Sequence, residues 1–238
     1  MKKKILLSVF FVLFLCQYSH ASFLDALKDT LDEASSTKSN ESKIDLGLKE
    51  ALNVGVKNSI KYLGKNNGYF ANQAVKILLP DEVRQAESVL RGVGFGPQLD
   101  EFTLSMNRAA EKAAPLSADI FANAIAGMSF DDANNILRGG STAATDYLKG
   151  KTYDRLLTLF EPAVRKTMGK YKVAEQYDTI TGKFQKLPLL GQAINLDINQ
   201  YVSSKALDGL FQMIAQEETN IRNNPKARVT SLLKDVFK

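Results

Sequence analysis

Apolar residues recur at intervals of three and four along most of the chain from residue 44 onwards. The first run contains Leu48, Leu52, Val56 and Ile60, and such an interval places its members on one face of a helix. Glycine and proline separate the runs at distances typical of helix lengths. We therefore predict that residues 44–238 form a single, irregular all-α multi-helix bundle of roughly eight to ten helices with little or no β-sheet.

Residues 75–80 interrupt this helical pattern. Proline disfavours helical geometry in the residue before it, so Leu79 is expected to be extended. Pro80 and Asp81 suit the first turn of a helix, because proline needs no N–H partner there and an acidic side chain faces the positive end of the helix dipole. The pattern predicts a short extended piece followed by a new helix.

The alanine-rich stretch 101–146 is predicted to be the centre of the bundle, because small side chains let neighbouring helices approach closely. Pro115 ends its first helix. Ser129 and Asp132 have the spacing of a capping pair at the start of a later helix.

Helix boundaries are also predicted beyond this stretch. One helix is expected to end near Gly150, and the apolar pattern that follows is interrupted at Pro162. Because proline removes a helical hydrogen bond and clashes with the preceding turn, a kink or a division into two helices is expected there.

The first 21 residues have the pattern of a signal peptide. Three lysines at positions 2–4 precede an apolar run over residues 5–16, which is shorter than the roughly 20 residues that span a bilayer as a helix. Ser19 and Ala21 supply the small residues that a signal peptidase reads, so we expect cleavage after Ala21 and delivery to the periplasm. Lipidation of Cys16 is the alternative, disfavoured because Leu15 stands where a small residue is usual.

Residues 22–43 are expected to form a short amphipathic helix and a polar linker. Phe23, Leu24, Leu27 and Leu31 share one side of the predicted helix. The stretch 34–43 contains no large apolar residue, so it buries too little surface to offset the entropy of ordering.

Cleavage after Ala21 would also remove the side chains that most catalytic and metal sites require. Cys16 is the one cysteine in the sequence and His20 the one histidine. The mature chain would therefore form no disulfide, no zinc site with Cys or His ligands, and no Ser-His-Asp or Cys-His catalytic group. We expect no cofactor and no bound metal.

The charge balance also changes when the signal peptide is removed. Loss of three lysines lowers the formal net charge from +5 to +2. A nearly balanced chain offers no electrostatic basis for binding nucleic acid, and no transmembrane span is expected once the signal peptide has gone.

Three polar residues within one helical turn form the first candidate site: Asn107, Arg108 and Glu111. At these spacings Asn107 and Arg108 can each reach Glu111. One interpretation is a structural network between helices, where a buried Arg–Glu pair must be well hydrogen-bonded. The other is a ligand or acid–base site, in which Arg108 holds an anionic group and Glu111 acts as a base.

The second candidate is the turn that contains Gly139, Gly140, Ser141, Thr142 and Thr145. Free N–H groups at the start of a helix, beside three hydroxyl groups, can receive an anion. Ordinary helix capping by Ser141 or Thr142 is the alternative.

Two carboxylate pairs are weaker candidates. Glu218 and Arg222 have the favourable i,i+4 orientation on a helix, so a solvated helix face explains Glu217 and Glu218 better than a metal site. The helix dipole likewise explains Asp131 and Asp132 better than metal binding.

Five segments of the chain carry a family resemblance. They read LGLKEALNVGVKNSIKYLG, AVKILLPDEVRQAESVLRGVGFG, SMNRAAEKAAP, DDANNILRGGSTAATDYL and KALDGLFQMIAQEETNIRNNPKARVTSLLKDVF. In this order they resemble the domain of unknown function 4197 family, an uncharacterised family of bacterial exported proteins, over about residues 46–237. The resemblance implies an exported, mainly helical protein of Gram-negative-type bacteria, and it transfers no activity.

These observations leave two hypotheses for the function. The leading one is a non-enzymatic periplasmic binding or interaction protein for an apolar or lipid-like ligand or an envelope protein, suggested by the apolar loop 187–190. The alternative is a His- and Cys-independent carboxylate-based hydrolase that uses Arg108 and Glu111, with Ser141 or Lys151, because glycosidases need only two acids. An open cleft at Arg108 and Glu111 would favour the enzyme.

Overall fold

A computed structural model describes residues 43, 45–170 and 196–227, together with positions 177, 179 and 182. The chain divides into two units, Met1–Leu46 and Gly47–Lys238, and every candidate site residue belongs to the second. The expected signal peptide, residues 22–42, the loop 187–190 and residues 228–238 lie outside the described residues.

The described part of the second unit is built from helices and short connections. α1 covers residues 45–63, turns follow over 64–75, and residues 76–80 have no regular structure. The bounds of the later helices are α2 Asp81–Gln85, α3 Glu87–Gly92, α4 Gly96–Ala113, α5 Ala118–Ala126, α6 Phe130–Arg138, α7 Ala143–Lys170 and α8 Ile198–Asn223, with 3-10 turns at Ala114–Ser117 and Pro225–Ala227. None of the described helices combines the length and apolar character needed to cross a bilayer.

This architecture confirms the all-α prediction, since the described residues include no β-strand. Two helix boundaries were predicted wrongly. α7 continues for 28 residues through both Gly150 and Pro162, so neither the end expected near Gly150 nor a division into two helices at Pro162 is present. Proline costs a helical hydrogen bond, but the buried stripe of α7 continues on both sides of it and holds both halves against the core: Leu148, Thr152, Leu156, Phe160, Val164 and Met168.

The core lies where α4, α7 and α8 meet. α4 buries Ala109, Ala110 and Ala113 completely, and these small side chains allow the close helix approach that the alanine-rich sequence predicted. Larger buried side chains fill the remaining space, among them Leu99, Phe102 and Met106 of α4, Leu156 and Phe160 of α7, and Leu207 and Leu210 of α8. Phe211 of α8 meets Phe121 edge-on at 5.7 Å and Tyr153 in a stack at 6.2 Å between ring centroids.

The connection between α1 and α2 lies against α4 and α8 and depends on residues with unusual backbone freedom. Asn67 has φ +66°, a left-handed conformation that asparagine tolerates better than most residues. A Cβ on Gly68 would lie 2.4 Å from the carbonyl oxygen of Leu63, and a Cβ on Gly209 would lie 2.8 Å from Cε1 of Tyr69. Glycine at both positions lets the connection approach its neighbours closely.

Candidate functional site

Asn107 holds the segment after the turns against α4. Its Oδ1 accepts a hydrogen bond from Ile77 N–H, and its Nδ2 donates to the carbonyl oxygens of Ile77 and Thr103, each at 2.8 Å. An extended residue presents its N–H and C=O on the same side, so this paired contact indicates extended geometry at Ile77. Alternating burial supports it: Ile77 and Leu79 are buried, whereas Leu78 is 48% exposed. The extended piece predicted before Pro80 has this geometry.

Glu111 holds the turns that precede this segment. Its Oε1 accepts hydrogen bonds from the N–H groups of Tyr69 and Phe70, both at 3.2 Å. Its Oε2 lies 2.6 Å from Nη1 of Arg108. The second guanidinium nitrogen of Arg108 donates to Oδ1 of Asn67 at 2.7 Å. Both carboxylate oxygens of Glu111 are therefore engaged by donors, and the side chain is only 3% exposed.

Tyr69 ties the same connection to α8. The residue is completely buried, and its hydroxyl donates to the carbonyl oxygen of Ala206 at 2.7 Å. Burial raises the pKa of Tyr69 well above its ordinary value, and the nearby negative charge of Glu111 raises it further. The hydroxyl consequently remains protonated and serves as a permanent donor.

The residues of the first candidate site thus form a hydrogen-bond network that holds a connection in place, and they do not line an open cleft. Arg108 and Glu111 form the expected i,i+3 pair, but Asn107 bonds to Ile77 and Thr103. The network joins α4 to the connection before α2. The structural interpretation of the sequence had instead expected a network between two helices. Proton abstraction by Glu111 would require breaking contacts that hold this connection in place.

The second candidate site already contains an anion supplied by the protein. Glu218 of α8 accepts hydrogen bonds from Ala144 N–H at 3.0 Å, Thr145 N–H at 2.9 Å and the Thr145 hydroxyl at 2.8 Å. Free N–H groups at a helix start attract negative charge, which is the physical basis of the predicted anion site. A carboxylate 73 residues away along the chain occupies it.

The remaining members of that turn lie outside this contact. Gly139, Gly140 and Ser141 are exposed, and the hydroxyl of Thr142 lies 3.2 Å from Oδ2 of Asp146. A Cβ on Gly139 would meet Cβ of Ala143 at 2.5 Å, so the glycine is needed for the close turn between α6 and α7.

Arg222 completes the contact around Glu218. Its Nε and Nη2 each lie 2.9 Å from Oε1 of Glu218, and Nη2 also donates to the carbonyl oxygen of Ile136 at 2.9 Å. The i,i+4 pair predicted from the sequence is therefore present, but Glu218 is buried and does not lie on a solvated face. Its neighbour Glu217 accepts a hydrogen bond from Asn58 at 3.1 Å.

The capping pair at the start of α6 is confirmed. Ser129 Oγ accepts from Asp132 N–H at 3.1 Å, and Oδ2 of Asp132 accepts from Ser129 N–H at 3.0 Å. The hydrogen bonds from Ser129 lower the pKa of Asp132, which keeps the cap ionised. Among the described residues, no group of three or more His, Cys, Asp or Glu side chains is placed to hold a metal ion.

A groove of about 400 Å³ lies beside α8, and none of the sequence candidates lines it. We call it the Tyr201 groove. One wall consists of residues 74–78 and α2, and the other is the α8 surface from Tyr201 to Gln212. The hydroxyl of Tyr201 donates to the carbonyl oxygen of Leu78 at 3.1 Å and so links the two walls. Burial, and to a lesser extent Asp81, raises the pKa of Tyr201.

The groove presents charges of both signs. Arg84 pairs with Asp81 at 2.6 Å on one wall, and Lys205 and Asp208 stand on the other. Nζ of Lys205 lies 5.9 Å from the ring centroid of Tyr201. Two signals in the sequence point here: the alternation over 75–79 and the polar residues at three- and four-residue intervals along α8. The sequence does not show that these two segments lie side by side.

The comparisons with known proteins concern most of the chain. The sequence model of one family, described as protein of unknown function (DUF4197), matches residues 38–238. No curated protein and no solved structure matches the chain.

Proposed function

We propose that this chain, which belongs to the family described as protein of unknown function (DUF4197), is a non-enzymatic binding protein whose partner is another polypeptide. The Tyr201 groove is the binding surface. The observation that carries the proposal is that this groove of about 400 Å³ presents two exposed charged side chains, Lys205 and Asp208, that form no ion pair with any other described residue.

The polar clusters around Glu111 and Glu218 make their hydrogen bonds within the protein. Glu111 accepts hydrogen bonds from Tyr69 and Phe70 and pairs with Arg108. Glu218 accepts hydrogen bonds from Ala144, Thr145 and Arg222. In the groove, Lys205 and Asp208 are exposed and form no ion pair with any other described residue. Because charged side chains at a cleft recruit and orient partners of complementary charge, these two residues are available for recognition.

The lining of the groove favours a polypeptide over an apolar or lipid-like ligand. Charges of both signs match a partner that itself carries both signs, whereas an acyl chain needs an apolar lining. The apolar hollow between α1 and α8 has a volume of only about 20 Å³, which is room for about one water molecule. The hollow is therefore too small for a lipid chain.

The proposed site of action is the periplasm, and the partner is accordingly a polypeptide of the cell envelope. The support is the signal-peptide pattern of residues 1–21 and its small residues at the cleavage position. The hydrolase alternative receives no comparable support, because Glu111, its proposed base, is buried and fully hydrogen-bonded.

Site-specific photo-crosslinking in the bacterial periplasm tests this function. A photoreactive amino acid is placed at Leu78 or Gln212, both at the groove, and at Lys166 of α7, an exposed position outside it. We expect a defined envelope protein to be crosslinked from the two groove positions and not from position 166.

The crosslinked partner is then purified and titrated against the protein. Exchanging the charges of Lys205 and Asp208 is expected to weaken its binding about tenfold or more, since close charge pairs across an interface contribute more than about 1.4 kcal/mol. Three outcomes would contradict the proposal: crosslinking to lipid alone, equal crosslinking from all three positions, and binding whose affinity is unchanged by the exchange of charges.

A further inference from the structure

From Lys205 to Asn223 the exposed residues of α8 lie along one narrow stripe, and the opposite side of the helix is buried. Beyond the Tyr201 groove the stripe continues with Gln212, Gln216, Asn220 and Asn223, all exposed and spaced by three or four residues. We call these four residues the amide track. The buried remainder of the helix includes Val202, Leu207, Leu210, Ile214, Glu218 and Ile221.

The amide track is continuous with the Tyr201 groove. The track lies on an open stretch of the α8 surface, and Gln212 belongs both to the track and to the lining of the groove. From Tyr201 to Asn223 the surface extends for about 33 Å at the rise of an α-helix. An extended polypeptide of about ten residues has the same length.

The chemistry of the track is that of a surface for hydrogen-bonding polymers. Each amide side chain has two N–H donors and one carbonyl acceptor, of which the carbonyl oxygen of Asn220 already accepts a hydrogen bond from Asn224 at 3.3 Å. No carboxylate or ammonium group belongs to the four track residues. A peptide backbone likewise alternates donors and acceptors along its length. A nucleic acid or an anionic membrane surface would instead require an excess of cationic side chains.

The opposite wall supplies a backbone contact of the kind that extended peptides use. Ile77 directs its N–H and C=O towards Asn107, so Leu78 directs its own pair to the other side, where Tyr201 binds the carbonyl oxygen. No described residue accepts a hydrogen bond from Leu78 N–H. This donor lies where a chain bound in the groove can accept its hydrogen bond, as in recognition by strand addition.

We propose that the Tyr201 groove and the amide track together bind an extended segment of the partner polypeptide, about ten residues long, chiefly through its backbone. Leu78 anchors one end of the segment, Lys205 and Asp208 meet charges along it, and the four amides bind its peptide groups. The inference rests on the proposed function and adds that the recognised segment is unfolded and is bound chiefly through its peptide groups, while charges opposite Lys205 and Asp208 add to the affinity.

Three probes test this inference on the full mature chain: a pool of 12-residue peptides of random sequence, a backbone N-methylated version of the pool, and a hexamer of β-1,4-linked N-acetylglucosamine. Binding is followed through the NMR signals of the side-chain amides of Gln212, Gln216, Asn220 and Asn223. We expect the unmodified peptides to shift these signals and N-methylation to weaken binding at least tenfold.

Matched variants separate the track from a general loss of polar surface. The double variant Gln216→Ala/Asn220→Ala is expected to weaken peptide binding about tenfold, as expected for two lost hydrogen bonds. The control Gln98→Ala/Asn135→Ala removes the same side-chain types from exposed positions outside the track and should leave binding unchanged.

Several results would overturn the inference. They are the absence of peptide-induced shifts at millimolar concentration, shifts from the glycan but not from the peptides, and equal losses in the track and control variants. If the crosslinked envelope partner binds through the groove but only in its folded state, the inference fails while the proposed function stands. If no partner crosslinks from the groove, the proposed function fails first.

Discussion

Glu111 shows how one side chain determines the course of a connection. It accepts the N–H groups of Tyr69 and Phe70 and pairs with Arg108. Truncating Glu111 would leave the partly or fully buried N–H groups of Tyr69 and Phe70 without an acceptor and would remove the carboxylate partner of Arg108. The cost of removing one partner of a buried ion pair is usually larger than the net contribution of the pair itself.

We therefore expect Glu111→Ala to lower the free energy of unfolding by about 3 kcal/mol or more. Glu111→Gln keeps one carbonyl acceptor and should cost about 1–2 kcal/mol. Urea denaturation followed by circular dichroism measures both changes. Glu101→Ala, on the exposed side of the same helix, is the control and should change stability by less than about 0.5 kcal/mol. A catalytic Glu111 would instead leave stability unchanged on substitution by glutamine.

At the scale of the helices, α7 is capped by a residue of α8 rather than by its own sequence. Glu218 binds the N–H groups of Ala144 and Thr145, which a local Ser or Thr side chain would otherwise satisfy. The two longest described helices are thereby joined by hydrogen bonds as well as by apolar contacts.

Glu218→Ala is expected to speed hydrogen exchange at the amides of Ala144 and Thr145 and to destabilise the protein by about 2 kcal/mol or more, because the cap and the carboxylate that pairs with Arg222 are both lost. Hydrogen–deuterium exchange by NMR measures the local effect. Thr142→Ala, which removes an exposed contact to Asp146, serves as the comparison. Unchanged exchange at Ala144 and Thr145 would show that the cap has no effect on α7.

Two helical glycines should respond to alanine with opposite signs. A Cβ on Gly209 would lie 2.8 Å from the buried ring of Tyr69 and 3.1 Å from Cβ of Val75, whereas a Cβ on Gly150 would meet nothing within 4 Å. The ring of Tyr69 cannot move aside easily, because its hydroxyl is bonded to Ala206. Alanine at 209 therefore creates a clash that its helix propensity does not offset.

Gly209→Ala is expected to lower the free energy of unfolding by about 1–2 kcal/mol through overpacking. Gly150→Ala should raise it by about 0.5–1 kcal/mol, because alanine loses less conformational entropy in a helix. Thermal denaturation of the two variants and of the parent protein measures both changes in stability. A gain of stability for both would contradict the close approach of α8 and the 64–75 turns.

At the scale of the whole molecule, the proposed export would determine which chemistry the protein retains. Cleavage after Ala21 would remove Cys16 and His20, the one cysteine and the one histidine of the chain. Binding through hydrogen bonds and paired charges needs neither residue. The proposed peptide-binding surface is therefore compatible with the composition of the mature chain.

We expect the periplasmic fraction to contain a protein whose N-terminal residue is Ser22. Intact-mass measurement with N-terminal sequencing tests this directly. Cys16→Ser should leave the mature mass and the location unchanged, because the residue is removed with the signal peptide. A mature N-terminus at Cys16 carrying acyl chains would establish a lipoprotein instead.

Much of the fold follows from local pattern. The three- and four-residue spacing predicted helices, Ser129 and Asp132 predicted their capping box, and Pro80 predicted the start of α2. Each depends on residues within a few positions of one another, so a single sequence contains the information. The helix end near Gly150 and the division at Pro162 were the exceptions, because the buried stripe of α7 continues past both residues and outweighs the local preference.

The candidate site was predicted only in part. Arg108 and Glu111 form the expected local pair, but the sequence did not indicate that Tyr69, Phe70 and Ile77 would be their other partners. Nor did the sequence indicate that Leu78 and Tyr201 would be neighbours, because the two residues lie 123 positions apart in the chain. Neither residues 74–78 nor the α8 sequence contains a motif that predicts a groove, which forms only when the fold places the two segments side by side.

By itself the sequence determined the helical class, the separation of helices by glycine and proline, and the composition of the chain with and without its first 21 residues. The tertiary structure alone decided that Glu218 fills the anion position of α7, that Glu111 latches a connection, and that residues 74–78 and α8 enclose a groove. Periodicity and capping are short-range preferences. Which distant side chain satisfies a buried donor depends on how all helices pack at once, and many polar side chains in one sequence could serve equally well.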